Sequence, residues 1–282
     1  MEAGLRLDPD EIRRAVRAAL DEDIGSGDVT SEATIPETAN ATAFMVARQR
    51  MVVAGIEFAE TAFQGSKLTR HLRDGELAAK GAKLLTIQGN ARAILAAERV
   101  ALNFVQRLSG IATLTEQFVE AIAGTRAEIL DTRKTTPGWR KFEKYAVRCG
   151  GGKNHRLGLY DMVLIKDNHL AAVGGDIARA VQRARTRYPS LQIEVEADTL
   201  EQASKAAEAG ADIILLDNMT TRDLRKAVDL VKGRCKTEAS GGVTLATVRA
   251  IAETGVDYIS VGALTHSAPA ADIGLDFESG EA

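Results

Sequence analysis

The chain has 282 residues, 45% hydrophobic and 27% charged, with a formal net charge of −3. That composition is globular, enough for one large or two ordinary domains, and its acidic balance argues against a general nucleic-acid binder. No apolar run approaches the ~18 residues of a membrane span and the start MEAGLRLDPDEIRRAVRAAL lacks a signal-peptide core, so a cytoplasmic protein is expected.

In chain order, DPDEIRRAVRAALDEDI places apolar residues at helical spacing behind an Asp-Pro start. ATAFMVAR and KLLTIQG alternate as strands, with GIEFAETAFQG between them as a short helix. Ala91 to Leu108 reads as an amphipathic helix. Ser109-Gly110 then reads as a break before a second helix that runs to a glycine stop at Gly124. A domain boundary is expected at this point, with an α/β layer over residues 1–109 and a second domain from 110.

From Glu128 the pattern becomes short apolar strands followed by helices: EILD, MVLIK, QIEVE, IILLD, KTEAS and YISVG. TLEQASKAAEAG, TTRDLRKAVDLVKG and TLATVRAIAETG each offer a Thr as N-cap and a Gly at the stop. AEAGADIILLD and AETGVDYISVG echo one another about one repeat pair apart. Alternating units imply a parallel sheet, and a barrel of six or seven strands fits better than an open sheet because no GxGxxG opens the first helix.

In such a barrel the chemistry gathers at the carboxyl ends of the strands. The residues there are Asp131, Arg133 and Lys134; Lys166 with Asp167-Asn168-His169; Glu196; Asp217; Ser240-Gly241-Gly242; and Gly262-Ala263. The period of two puts Glu194 and Glu196 on one face, with Glu196 nearer the mouth and the better site candidate; the alternative is that both are neutralised by ion pairs in the barrel interior. Glu196 and Asp217 together suit a hydrated Mg²⁺ and sugar hydroxyls, and the two glycine loops suit a phosphate.

Charge adds a third clue. DTRKTTPGWRKFEKYAVRCGGGKNHR, residues 131–156, carries eight Lys or Arg against two acids, whereas the remainder holds 28 against 37. Arg133, Arg148, Arg156, Lys134, Lys153 and Lys166 form a cation set for a small polyanion, while Lys141 and Lys144 read as surface residues beside Glu143. Cys149 and Cys235 make no CxxC pair, and His71, His155, His169 and His266 lack zinc-ligand spacing. The expectation is a barrel whose mouth binds a phosphorylated, multiply anionic small molecule.

The same segment, continued through LGLYDMVLIKDNHL, resembles the signature of the quinolinate phosphoribosyltransferases. So do EDIGSGDVTSEATIP, ERVALNFVQRLSGIAT, IEVEADTLEQA, ILLDNM, EASGGV and GVDYISVGALTHSAPAADIGLDF, so the resemblance covers almost the whole chain. It implies transfer of phosphoribosyl from phosphoribosyl pyrophosphate to quinolinate with decarboxylation, giving nicotinate mononucleotide, pyrophosphate and CO₂ in NAD biosynthesis, with Mg²⁺. It also implies an N-terminal α/β sandwich (1–109, joined by the tail 270–282) and an incomplete TIM-like α/β barrel (110–269), in a homodimer whose sites are shared between chains.

By this resemblance Arg133, His155, Arg156 and Lys166 bind quinolinate, with Arg99 from the partner's long helix. Thr132, Lys134, Glu196, Asp217, Ser240, Gly241, Gly242, Val261, Gly262 and Ala263 form the phosphoribosyl pyrophosphate and metal site, and Lys134, Lys166, Glu196 and Asp217 act in catalysis. Three rivals stand beside this reading: Lys166 as a Schiff-base lysine of an aldolase-like barrel; a non-catalytic anion-binding or regulatory protein, which would not need Glu196, Asp217, Lys134 and both glycine loops together; and a relative recruited to another pyridine or metal-related pathway or one that uses nicotinate, whose single carboxylate would not need the full cation set.

Overall fold

The computed structural model describes residues 6–278. In chain order the elements are α1 (Pro9–Ile24), α2 (Val29–Thr34), β1 (Asn40–Ala47), β2 (Met51–Val52), α3 (Ile56–Ala62), β3 (Lys67–Arg70), β4 (Leu77–Ala78), β5 (Lys83–Asn90) and α4 (Ala91–Ala121). They continue with β6 (Glu128–Leu130), α5 (Arg140–Cys149), β7 (Val163–Ile165), α6 (Asp167–Ala171), α7 (Ile177–Arg187), β8 (Ile193–Ala197) and α8 (Leu200–Glu208). The last are β9 (Ile213–Asp217), α9 (Thr221–Val231), β10 (Lys236–Ser240), α10 (Val248–Ala252), β11 (Tyr258–Ser260), α11 (Ala263–His266) and β12 (Ile273–Phe277). The chain divides into two compact units: residues up to Glu116 with 141–151 and those from Ser267 on, and residues 117–140 with 152–266. Residues 1–5 of the opening segment and 279–282 of the tail lie outside the described residues.

The first unit is built on the antiparallel sheet β12-β1-β5-β3, in which the tail strand pairs with β1 from Ala43↔Phe277 to Ala47↔Ile273. One prediction fails here. Ser109-Gly110 does not interrupt the helix, and α4 is continuous for 31 residues. Both residues serve packing instead. The Ser109 hydroxyl, fully buried, accepts from the Ala54 N–H and donates to the Ala54 carbonyl. A Cβ at Gly110 would lie 2.0 Å from the Pro269 carbonyl oxygen, so the glycine admits a crossing backbone rather than ending a helix.

α5 corrects a second expectation. Lys141 is exposed and pairs with Glu11 at 2.5 Å, but Lys144 and Glu143 are fully buried, and Glu143 accepts from Arg107 Nη2 at 2.7 Å. Their neighbour Phe142 meets Phe58 edge-on at 5.0 Å, and Phe58 stacks on Phe104 at 4.7 Å. Such aromatic pairs contribute about 1 kcal/mol each beyond area burial. The helix face that periodicity assigned to solvent is therefore closed over by α3 and α4, which long-range packing alone decides.

The second unit holds all six predicted strands in one parallel sheet, ordered β6-β11-β10-β9-β8-β7. A single bridge, Leu130↔Lys153, extends it past β6. The barrel is therefore six-stranded with a one-residue seventh stave. Its helices are capped largely as expected. Thr199 and Gln202 form a capping box on α8 and Thr220 caps α9, whereas α10 starts behind Thr247 rather than Thr244, whose N–H donates to the Thr247 hydroxyl. Each such side-chain cap is worth about 1 kcal/mol.

Register fixes which side chains share a face. The pairs Glu194↔Ile213, Glu196↔Leu215, Glu238↔Leu215, Ser240↔Asp217, Glu238↔Tyr258 and Ser260↔Leu130 place Glu194, Glu196, Asp217, Glu238, Ser240 and Ser260 together. The opposite face carries Val195, Ile214, Leu216, Ala239 and Ile259, all buried on the helix side. The barrel interior thus mixes these polar groups with Leu130, Leu164, Ile213 and Leu215.

Candidate active site

At the mouth, Lys166 at the end of β7 donates from Nζ to Glu196 Oε2 at 2.5 Å. Its backbone N–H donates to His169 Nδ1, which fixes the start of α6. An ion pair of this kind is not the apolar, cation-flanked setting that activates a Schiff-base lysine, which weighs against the aldolase-like rival. One strand over, Asp217 ends β9 and accepts from Asn218 Nδ2 at 2.7 Å. Asn218 has φ +53, the one positive φ outside glycine among the described residues, and its N–H donates to the Ser240 carbonyl. A Cβ at Gly241 would stand 2.1 Å from Asn218 Oδ1, so glycine is required where these two loops meet.

On the far side, Thr132 Oγ1 accepts from the Lys134 N–H, and Thr265 Oγ1 donates to the Lys134 carbonyl. A Cβ at Gly262 would lie 3.1 Å from Lys134 Cδ, so this lysine stem lies across the Gly262 turn. Val261 donates to the Leu130 carbonyl at 2.9 Å, and Ala263 opens α11. Arg133, Lys134 and Gly242 border the same loops, with both cations exposed.

The loop after α5 is fixed by Asp131 and Asp161. The buried Asp131 carboxylate accepts from Asn154 Nδ2 and the His155 N–H, and Asp161 accepts from the Leu157 and Gly158 N–H groups. Arg156 is held between them. Its Nη1 donates to the Met162 carbonyl at 3.2 Å, and its buried Nε has no hydrogen-bond partner among the described residues. Burial and, next, the Arg133 guanidinium hold its pKa below the ordinary value, against the pull of Glu194 and Asp161. A desolvated guanidinium with an open donor, repelled by a second one, is a receptor for an anion.

His155 lies deeper. Its Nδ1 accepts from the Arg156 N–H at 2.8 Å, so the ring proton sits on Nε2, which donates to Glu194 Oε2 at 2.9 Å. Below the mouth, Glu194 and Glu238 are buried, and burial pushes their carboxyls up to about 7 and about 8. Sequence reading ranked Glu194 second to Glu196 and passed over Glu238, Asn154, Asn218 and Ser260. The signal for Glu238 was available: it sits two residues before Ser240 in KTEAS, and so on the same face.

The basic segment does not converge as one cluster. Lys153 pairs with Glu128 at 2.5 Å, at the amino end of β6, and Arg148 is exposed on α5 in the first unit. Arg140, the first residue of α5, ties the loop before the helix to the loop after it through the Thr135 hydroxyl and the Leu157 carbonyl. Arg133, Lys134, Arg156 and Lys166 remain in the second unit with Glu196 and Asp217, while Arg99 is exposed on α4 in the first.

Residues 28–109 match the N-terminal domain and residues 111–276 the C-terminal domain of quinolinate phosphoribosyl transferase. The chain belongs to the quinolinate phosphoribosyltransferase family. The expected activity class, a decarboxylating pentosyltransferase, stands with it.

Within this family, the nicotinate-nucleotide pyrophosphorylase (carboxylating) of Mycobacterium leprae is 46% identical, over 95% of this chain and 97% of its own. A probable enzyme of the same name from Bacillus subtilis is 45% identical, over 90% and 89%. The structure of the nicotinate-nucleotide pyrophosphorylase from Francisella tularensis superposes with a TM-score of 0.92 at 40% identity, covering 97% and 98% of the two chains. Among the described residues, no helix is long and apolar enough to cross a membrane.

Proposed function

We propose that the barrel mouth transfers phosphoribosyl from phosphoribosyl pyrophosphate to quinolinate and then releases CO₂, with the residues named above in the following roles. The observation that carries the assignment is Arg156: a guanidinium with an unpartnered buried Nε, facing the charge of Arg133. A dicarboxylate would satisfy that donor and relieve the repulsion, whereas nicotinate would neutralise only half as much charge.

Arg133, Arg156 and Lys166 orient quinolinate so that the pyridine nitrogen faces the ribose C1. Lys134 and the Ser240-Gly241-Gly242 and Gly262-Ala263 turns hold the phosphates. As pyrophosphate leaves, positive charge grows on the sugar, and Glu196 and Asp217 on their common face stabilise it. The two carboxylates form a hard oxygen set that fits Mg²⁺, which when bound neutralises the leaving pyrophosphate. Once the N–C1 bond exists, the nitrogen is a pyridinium, and loss of the C2 carboxylate leaves its electron pair stabilised beside that charge. Positioning dominates, because the attacking lone pair needs no base.

Arg99 enters this site from a second copy of the chain in a cytoplasmic homodimer. Its exposed place on α4 supports that reading. Mixing Arg99→Ala with Lys134→Ala chains should restore activity to the heterodimer; no recovery would remove the shared site.

The direct assay is purified protein with phosphoribosyl pyrophosphate, Mg²⁺ and either quinolinate or nicotinate. Nicotinate mononucleotide and CO₂ from quinolinate alone are expected. Product from nicotinate alone would overturn the substrate.

A further inference from the structure

Beneath the mouth, His155 meets two buried carboxylates that the reaction above does not use. Glu194, on β8, is fully buried, Glu238, on β10, is 1% exposed, and the ligating atoms of His155, Glu194 and Glu238 lie within 4.8 Å of one another. His155 Nε2 is 2.9 Å from Glu194 Oε2 and 3.7 Å from Glu238 Oε2. Among the described residues, Glu194 Oε1 and both oxygens of Glu238 have no hydrogen-bond partner within normal geometry.

Two bare carboxylates at this depth, facing each other and one imidazole, would be strongly unfavourable. A proton on one supplies the missing donor and removes the repulsion. Arg156 and Lys166 favour the charged form of Glu194, whereas at Glu238 burial and the facing Glu194 carboxyl outweigh the pull of His155 and of the Ser260 hydroxyl. The proton therefore belongs on Glu238.

We propose that Glu238 is a positioning residue, a protonated carboxyl that holds Glu194 and through it the His155 ring, so that residue 156 presents its guanidinium to the substrate carboxylate. The linkage is continuous. Glu238 donates to Glu194, Glu194 accepts from His155 Nε2, and His155 Nδ1 accepts from the Arg156 N–H. Loss of the Glu238 donor frees Glu194 to turn, and the ring and the Arg156 backbone follow.

A divalent metal on the same three groups is the competing account. Arg156 and Lys166 both act on Glu194 and oppose a further cation there, and the His155 Nε2 that would ligate it carries the proton.

This inference rests on the quinolinate reading, and the test separates the two. Full-length wild type is first assayed with quinolinate, phosphoribosyl pyrophosphate and Mg²⁺; absence of product sinks the functional reading, not this one. Glu238→Gln keeps a donor and cannot ionise, so its KM for quinolinate should stay within about two-fold. Glu238→Ala, or Glu238→Leu if the cavity prevents folding, should raise that KM at least about ten-fold, with the KM for phosphoribosyl pyrophosphate little changed.

Independently of turnover, ¹⁵N shifts of His155 should report the Nε2–H tautomer in wild type and Glu238→Gln, and a mixture in Glu238→Ala or Glu238→Leu. The proposal is overturned if Glu238→Gln is as impaired as Glu238→Ala, if all variants match wild type, or if both KM values rise while kcat falls. A stoichiometric transition metal in the purified wild type that Glu238→Gln lacks would overturn it in favour of the metal.

Discussion

Glu196 and Glu194 stand two residues apart on one strand, on one face, and meet opposite fates. Glu196 lies at the rim, paired with Lys166 at 2.5 Å. Glu194 is sealed against Glu238 and His155, and burial drives its carboxyl up to about 7. Ser240 and Glu238 repeat the contrast on β10. Period two decides which residues share the barrel interior; depth decides what they do there. At the rim, charge is exchanged with ligands, and one layer down it must be cancelled internally because water cannot reach it.

The rim should carry the largest effects. Glu196→Ala or Asp217→Ala is expected to lower kcat by about 10³-fold, the loss of charge aimed at the sugar in the transition state. A variant with unchanged kcat would move the catalytic charge elsewhere. Next, Arg156→Ala should weaken quinolinate binding by about 2–5 kcal/mol, measured by titration calorimetry; unchanged affinity would dissolve the link between its open Nε and the substrate.

The inner layer should show itself in pH. Glu238 is raised to about 8 in the fold, so the folded chain binds this proton more tightly than the unfolded one. Its contribution is complete below the ordinary carboxylate range and is lost as pH rises towards 8. Wild type should therefore lose about 2–3 kcal/mol relative to Glu238→Gln between pH 6 and 9, read by chemical denaturation. Parallel curves would mean that the two layers do not differ in protonation. The smallest effect belongs to the opposite end of the barrel: Lys153→Ala, which breaks a half-exposed pair with Glu128, should change stability by less than about 1 kcal/mol and leave kcat and both KM values alone. A loss of substrate affinity there would return Lys153 to the mouth.

The basic segment 131–156 shows how far local reading reaches. Its charge was plain and its link to a polyanion sound, yet its cations serve four ends: Arg133, Lys134 and Arg156 at the mouth, Lys153 at the amino end of β6, Arg140 in a loop clamp, and Lys141, Lys144 and Arg148 on a helix of the other unit. Nothing within the segment separates these roles, since each depends on what long-range packing brings alongside. Ser109-Gly110 carries the same lesson. A glycine behind a serine looks like a helix stop until Ala54 takes up the hydroxyl and Pro269 crosses over the missing side chain.

By itself the sequence determined the six strands, most of their helix caps and the polar residues that end them, because alternation, capping and turn chemistry act over a few residues. It determined the family as well, through motifs spread along the chain. Only the tertiary structure decided that Glu194 and Glu238 lie together under His155, that Lys144 is buried and that α4 runs unbroken, because burial is set by residues tens to hundreds of positions away. A carboxylate's charge state follows from that burial and cannot be read from its neighbours in the chain.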